Sequence, residues 1–103
     1  MEFYLASDAR ETVGEVSNHT VDYPTHQRLF EKTDFTDLNI FYRLSDYYQD
    51  TCFLEQDLGL LKVEIETALE RVDQPLQIEG LARLLTLCEQ GIRQEMNLYV
   101  TAD

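Results

Sequence analysis

The feature that most constrains the fold is a pair of segments, 56–73 and 77–95, whose apolar residues recur with helical spacing. In the first segment the series is Leu58, Leu61, Ile65, Leu69 and Val72, with Ala68 on the same arc. In the second it is Ile78, Leu81, Leu84, Leu85, Cys88, Ile92 and Met96. Steps of three and four residues place these side chains on one face of each helix. The connection through Pro75 is short, so we expect an antiparallel helix hairpin.

Four other segments favour β-strands: 2–7, 38–44, 51–54 and 98–101. The clearest is 38–44, because apolar and mostly polar residues alternate along it with the period of a half-buried strand. On this reading one face carries Leu38, Ile40, Tyr42 and Leu44. Residues 51–54 are expected to return as a short antiparallel partner, and 98–101 to close the sheet.

Residues 9–36 show no clean period. Thr25 is expected to cap a short helix that carries Leu29 and Phe30, and β-prone residues within 11–23 leave room for another strand. The whole chain is therefore expected to be one domain, residues 1–103. Its fold class is α+β with two layers, the helix hairpin packing on a small, mostly antiparallel sheet of three to five strands.

The charge of the chain limits what it can bind. Twenty Asp and Glu stand against eight Lys and Arg, a formal net charge of −12 over 103 residues. Nucleic-acid binding depends on cations that contact phosphates, so no nucleic-acid partner is expected. A field of this sign attracts positively charged partners instead. We therefore expect a basic protein as partner.

The sequence also predicts a cytoplasmic location. No apolar run approaches the ~20 residues that a membrane span requires, and the first residues lack the basic and apolar regions of a secretory signal. Cys52 and Cys88 are isolated in sequence, without a Cys-x-x-Cys motif or a neighbouring histidine. They are expected to be reduced, buried thiols, although a disulfide between them stays open.

No catalytic or cofactor motif is recognisable, so we expect neither an enzyme nor a cofactor. The alternative is a small metal-dependent enzyme that uses His19 and His26, since His19, Asp22 and His26 carry ligand atoms that suit Zn²⁺. Their segment is not clearly helical, and a fourth ligand is missing. The sequence therefore favours two solvated histidines and no metal site.

The strongest candidate for a binding site is the turn at residues 46–50, which carries Asp46, Tyr47, Tyr48 and Asp50. Tyrosines supply a large contact area at low entropic cost, and the flanking carboxylates suit an Arg or Lys of a partner. We interpret these four residues as a partner-binding site.

A possible second interface lies beside the helical stripes, at Leu60, Val63 and Leu87. Gly80 and Gly91 follow the same side of the second helix and would allow another backbone to approach closely. Either the N-terminal segment or a second copy of the chain would cover this surface. The chain is accordingly expected to be a monomer or a homodimer, and a structural dimer subunit is a further alternative.

Taken together, these features favour a small acidic, non-enzymatic protein-binding module that engages a basic protein, as an inhibitor or an adaptor. In size, charge and lack of catalytic motifs the chain is similar to small acidic bacterial immunity proteins and other inhibitors of basic toxins. The likeness is one of organisation, without a shared motif.

Overall fold

A computed structural model describes residues 1–7 and 19–102 of the chain. In chain order its elements are β1 (Glu2–Ala6), β2 (His19–Thr20), α1 (Tyr23–Lys32), a 3₁₀ helix (Phe41–Ser45), β3 (Thr51–Phe53), a 3₁₀ turn (Glu55–Asp57), α2 (Leu58–Arg71), α3 (Pro75–Gln94) and β4 (Asn97–Thr101). The expected α+β fold is confirmed, because α2 and α3 form an antiparallel pair that packs on a small antiparallel sheet. Most of the possible strand within 11–23 lies outside the described residues.

The described strands follow the order β2-β1-β4-β3, and each neighbouring pair is antiparallel. The expected strands at 2–7, 51–54 and 98–101 correspond to β1, β3 and β4. On the inner face Leu5, Leu98 and Phe53 lie side by side across three strands, and all three are fully buried. Because side chains alternate between the two faces of a strand, this row forms the floor on which the helices pack.

The two cysteines are free and lie in different layers. Cys52 is on β3 beside Tyr99, on the outer face of the sheet, whereas Cys88 is buried on α3 in the core. Burial raises the pKa of the Cys88 thiol to about 12, so this thiol stays protonated at neutral pH. The structure has no disulfide between the two.

The helix hairpin is where the periodicity placed it, but α3 is turned slightly about its axis. Its buried residues are Gln77, Leu81, Leu84, Leu87, Cys88 and Gly91. Ile78 and Ile92, expected to face the core, are partly exposed, and Leu85 is only partly buried. Each lies one residue after a buried position, at the edge of the buried face, whereas Leu81, Leu84 and Cys88 of the expected stripe are buried as predicted, so the rotation is small. The rotation lets α3 pack against α1 as well as against α2 and the sheet.

Gly91 marks the closest approach between α3 and the rest of the core. A Cβ atom at this position would lie 2.7 Å from Cδ1 of Leu58 and 3.1 Å from Cδ2 of Leu5. The glycine therefore allows α3 to cross directly over the start of α2 and the end of β1. The sequence left open whether the N-terminal segment or a second copy of the chain covers the side of α3 that carries Gly91. In the structure Leu5 of the N-terminal strand β1 lies against this glycine.

The expected strand at 38–44 is wrong. Residues 36–40 form turns, and Phe41–Ser45 is the 3₁₀ helix. The buried side chains of this region are Phe35, Leu38, Phe41, Leu44 and Tyr47. They recur every three residues, which is the period of a 3₁₀ helix and not of a strand.

One side chain of α2 holds this region against the hairpin. The Oε1 atom of Glu64 accepts hydrogen bonds from the backbone N–H groups of Ile40, at 3.0 Å, and Phe41, at 2.9 Å. These groups stand at the start of the 3₁₀ helix, where N–H groups lack partners within the helix. A carboxylate also complements the positive end of the helix.

Helix α1 begins earlier than expected. Asp22, not Thr25, is its N-cap: the Asp22 Oδ1 atom accepts from the Thr25 N–H at 3.0 Å, and Pro24 occupies the first turn. The helix turns its buried face, which includes His26, toward the 3₁₀ helix.

The core of the hairpin can be tested with two substitutions on α2. We expect Ile65→Ala to lower the free energy of unfolding by about 2–5 kcal/mol, because Ile65 is fully buried and the change leaves a cavity. Val63→Ala is the control, since Val63 is 58% exposed, and its cost should stay under about 0.5 kcal/mol. Urea unfolding monitored by circular dichroism measures both. Equal costs for the two variants would contradict the packing described here.

Candidate binding groove

The tyrosine turn follows the 3₁₀ helix and is stabilised by its own first residue. The Oδ1 atom of Asp46 accepts from the Tyr48 N–H at 3.0 Å, and the Gln49 N–H donates to the Asp46 carbonyl at 3.3 Å. This local bonding is the usual way in which an aspartate initiates a turn. It turns Tyr48 outward, where the side chain is 68% exposed.

Tyr47 points inward and supports the turn. It is only 6% exposed, and its hydroxyl donates to the Val21 carbonyl at 3.4 Å. Its ring packs edge-on against Tyr23, with centroids 5.2 Å apart, and against His26 at the same distance. The two neighbouring tyrosines therefore have different roles: Tyr47 belongs to the core and Tyr48 to the surface.

Helix α1 supplies the opposite wall. Tyr23, Gln27 and Glu31 follow one another at four-residue steps and share the outer face of the helix. The Gln27 Nε2 atom donates to Glu31 Oε1 at 2.9 Å, which orders this carboxylate. The ring of Tyr23 lies 5.9 Å from the ring of Tyr48, so the two walls meet through aromatic contact.

Between these walls lies a groove of about 440 Å³. Its partly exposed rings are Tyr23, Tyr42 and Tyr48. The complete lining is Tyr23, His26, Gln27, Phe30, Glu31, Tyr42, Ser45, Asp46, Tyr47 and Tyr48. We call this feature the aromatic groove.

The aromatic groove is negatively charged. Glu31 and Asp46 contribute carboxylates, and its lining contains neither Lys nor Arg. Tyrosine rings present a negative face to a cation, so the rings and the carboxylates favour the same kind of ligand. The arrangement suits a guanidinium or ammonium group that stacks on a ring and pairs with a carboxylate.

His26 forms part of the floor of the groove in its neutral form. Its Nε2 atom donates to the carbonyl oxygen of Leu44, because a carbonyl can only accept. Burial lowers the pKa of the imidazole, and the hydrogen bond to Leu44 opposes this shift in part. His26 therefore joins α1 to the 3₁₀ helix without adding a charge of its own, and the nearby cation is the N-terminal ammonium of Met1, which donates to the Tyr47 hydroxyl at 3.2 Å behind the rings.

The structure brings together only some of the residues proposed from the sequence. Asp46, Tyr47 and Tyr48 line the groove, whereas Asp50 lies outside it and accepts from the Ala102 N–H at 2.7 Å. Asp50 thus connects the turn to the end of β4. The sequence did not indicate Tyr42 or the α1 wall. The four-residue steps of α1 were visible, but without a secure start for the helix they could not be assigned to a face.

The possible second interface is not one surface. Leu60 and Val63 are exposed on α2, but Leu87 is only 2% exposed and belongs to the core. Leu87 follows the buried face of α3 because of the rotation described above. Of the three residues, Leu60 and Val63 are therefore on the surface, one turn apart on α2.

The histidine pair does not form a described metal site. Asp22 uses its side chain to cap α1, and His26 is bonded to Leu44. His19 contributes its backbone to β2, while its side chain lies outside what the structure describes. Within residues 1–7 and 19–102, no group of three His, Cys, Asp or Glu residues is placed to hold a metal ion.

Comparison with protein-family models, with curated proteins and with solved structures finds no match to this chain. No helix within the described parts of the chain is both long enough and apolar enough to cross a membrane. The function is therefore inferred from the geometry of the groove.

The state of His26 makes stability depend on pH. Its pKa in the folded protein lies below the ordinary value of 6.5, so the folded state binds fewer protons than the unfolded state. The contribution is fully present above the unfolded-state pKa and is lost as the pH falls below it. We expect the free energy of unfolding to decrease from about pH 8 to about pH 5.5.

His26→Gln is the comparison, because the amide still offers a donor to Leu44 but does not titrate. Denaturant unfolding at several pH values measures the slope for both proteins. The decrease should be steeper in the wild type. Parallel slopes would show that His26 is not buried in its neutral form.

Proposed function

We propose that this protein is a small acidic, non-enzymatic binding module that engages a basic protein through the aromatic groove. The observation that carries the proposal is the meeting of three partly exposed tyrosines and two carboxylates in one groove whose lining lacks a positive charge. An inhibitor of a basic protein and an adaptor would both use such a surface.

The groove fits a positively charged side chain of a partner. Its volume of about 440 Å³ accommodates an arginine or lysine side chain together with part of its backbone. The ring of Tyr48 is exposed and that of Tyr23 lies beside it, so a planar guanidinium can stack there. Asp46 and Glu31 stand on the two walls, where they can accept hydrogen bonds from the same cation.

The rest of the molecule supports the same class of partner. The net charge of −12 attracts a basic protein over a distance greater than that of direct contact. The rings give short-range affinity, whereas the charges increase the rate of encounter. The proposal includes a cytoplasmic location, which agrees with two free thiols.

Tyr48→Ala tests the aromatic part of the proposal. The whole chain is immobilised and exposed to the proteins of its source cell at low salt, and the kinetics of the basic protein retained are then measured. We expect the substitution to weaken binding about tenfold or more, mainly through faster dissociation. Because Tyr48 is largely exposed, the stability of the fold should be unchanged.

Leu60→Ala is the matched control, since it shortens another exposed apolar side chain on a different part of the surface. It should bind the partner like the wild type. If Leu60→Ala loses the partner and Tyr48→Ala keeps it, the interface lies on α2 and the proposal fails.

The double variant Asp46→Asn with Glu31→Gln tests the charges. The asparagine oxygen still accepts from the Tyr48 N–H, so the turn is kept. We expect a slower association rate and a weaker dependence of that rate on salt, because charges beyond ~8 Å are screened at physiological ionic strength.

The control for this experiment is Glu66→Gln with Glu95→Gln, which changes the net charge equally at exposed positions outside the groove. Its association rate should decrease less. An equal decrease would mean that the overall charge, and not the groove, guides the partner.

One observation favours a second candidate function, a structural subunit of a homodimer. Leu60 and Val63 are exposed one turn apart on α2 and could pair with a second copy. Sedimentation of the wild type and of Leu60→Ala distinguishes the two, since a dimer that this surface forms would dissociate in the variant.

A further inference from the structure

A second cleft lies on the other side of α1 from the aromatic groove. It has a volume of about 530 Å³ and is lined by Arg28, Lys32, Thr33, Glu70, Arg71, Val72, Asp73, Gln74 and Gln77. A smaller cavity of about 200 Å³ adjoins it, lined by Thr25, Arg28, Gln74, Pro75, Leu76 and Gln77. The two share Arg28, Gln74 and Gln77, which are all hydrogen-bond donors. We call the shared region the α1–α3 cleft.

Gln77 is the unusual residue of this cleft. It is only 8% exposed, and its carboxamide makes no hydrogen bond to the residues that the structure describes. A buried amide without a partner is unfavourable for folding. Buried amides are normally paired, so an unpaired one in the wall of a cavity points to a ligand that completes its bonding.

Two cations of α1 line the wall opposite Gln77; one of them, Arg28, also interacts electrostatically with the Asp22 carboxylate at the start of α1. Arg28 and Lys32 are four residues apart on the same face of α1, and neither forms an ion pair with a described residue. Like charges at this spacing repel each other. Both side chains are exposed, so both are accessible to an anion from solution.

The first turn of α3 adds a third source of positive potential. This helix is 20 residues long, and Gln74 at its N-cap makes no capping bond with its side chain. The first turn has no acidic residue, and the N–H groups of Leu76 and Gln77 have no acceptor within the helix. Such a helix start favours an anion.

The acidic residues of the cleft limit where that anion can lie. Glu70 and Asp73 line only the wider part, and Asp73 Oδ1 accepts from the Gln74 Nε2 atom at 3.3 Å, so the Gln74 amide is already bonded and the anion is left with Arg28 and Gln77. Arg71 is already paired with Asp37 through two hydrogen bonds, of 2.6 and 2.7 Å. The net positive region is therefore the part nearest Arg28 and Gln77, which has room for a compact anion.

We propose that the α1–α3 cleft binds a compact oxyanion, a phosphate or carboxylate group, through Arg28 and the Gln77 carboxamide at the start of α3, with Lys32 adding positive charge from the adjoining wider part. This inference does not depend on the aromatic groove, which lies on the opposite face of α1 and has the opposite charge. It gives the acidic protein a second binding site, which binds an anion, whereas the aromatic groove binds a cation.

The test is a titration followed by nuclear magnetic resonance of the whole chain. The probes are inorganic phosphate and acetate, with chloride at equal ionic strength as reference. We expect the side-chain N–H signals of Gln77 and Arg28 to shift in a saturable way, with a dissociation constant of about 1–10 mM for the preferred probe. Shifts that are the same for chloride, or that do not saturate, would overturn the proposal.

The two probes separate the possible sources of the group. Saturation by phosphate alone indicates a phosphate-bearing ligand, and saturation by acetate alone indicates a carboxylate such as an acidic side chain. Either result supports an oxyanion site, because Arg28 pairs with both groups in the same bidentate geometry.

Two variants identify the residues responsible. Arg28→Gln should weaken binding about tenfold to a hundredfold, the range expected for a lost charged hydrogen bond. Arg93→Gln removes the same charge from an exposed position outside the cleft and should have little effect. Equal weakening by both variants would mean that the anion binds through general charge and not at this site.

Gln77→Leu separates binding from stability. It removes the unpaired amide while keeping the volume, so the thermal midpoint of the free protein should stay the same or increase. Phosphate or acetate binding should weaken at least tenfold in the same variant. If instead the midpoint decreases and binding is unchanged, Gln77 is a structural residue and the proposal is wrong.

Discussion

The groove depends on one carboxylate of the helix hairpin. Glu64 accepts from two backbone N–H groups at the start of the 3₁₀ helix and so fixes that helix against α2. The 3₁₀ helix in turn offers the Leu44 carbonyl to His26, which positions α1. Both walls of the aromatic groove are therefore attached, directly or through His26, to the region that this side chain holds.

Much of the fold could be predicted because several segments have a strong, unambiguous period. The stripes of α2 and α3 are long, and a helix end before Pro75 is imposed by the proline ring. The 35–47 region was misread because its apolar residues fit two periods at once. Leu38 and Leu44 belong to both series, but Phe41 is buried where the strand reading placed it outside, and Tyr42 is exposed. A contact from a distant helix, Glu64, decides between the two, and no local pattern contains that information.

The site was predictable only in part, for a related reason. The turn could be located from Asp46 and its two tyrosines, but whether Tyr47 or Tyr48 faces outward depends on the direction of the chain as it leaves the 3₁₀ helix. The wall from α1 is more than ten residues away in sequence and joins the turn only through packing. Similarly, the exposure of Gln77 and Arg28 to a common cavity follows from the contact between α1 and α3.

The pairing of β1 with β4 has a consequence for how the molecule forms. These central strands stand near opposite ends of the chain, with Glu2 opposite Thr101. These two strands can pair only after the chain between them has closed as a long loop. Contacts of such large sequence separation slow folding. The apolar face of the helix hairpin and the inner face of β1 therefore share one requirement, because both are covered fully only when β4 has joined the sheet.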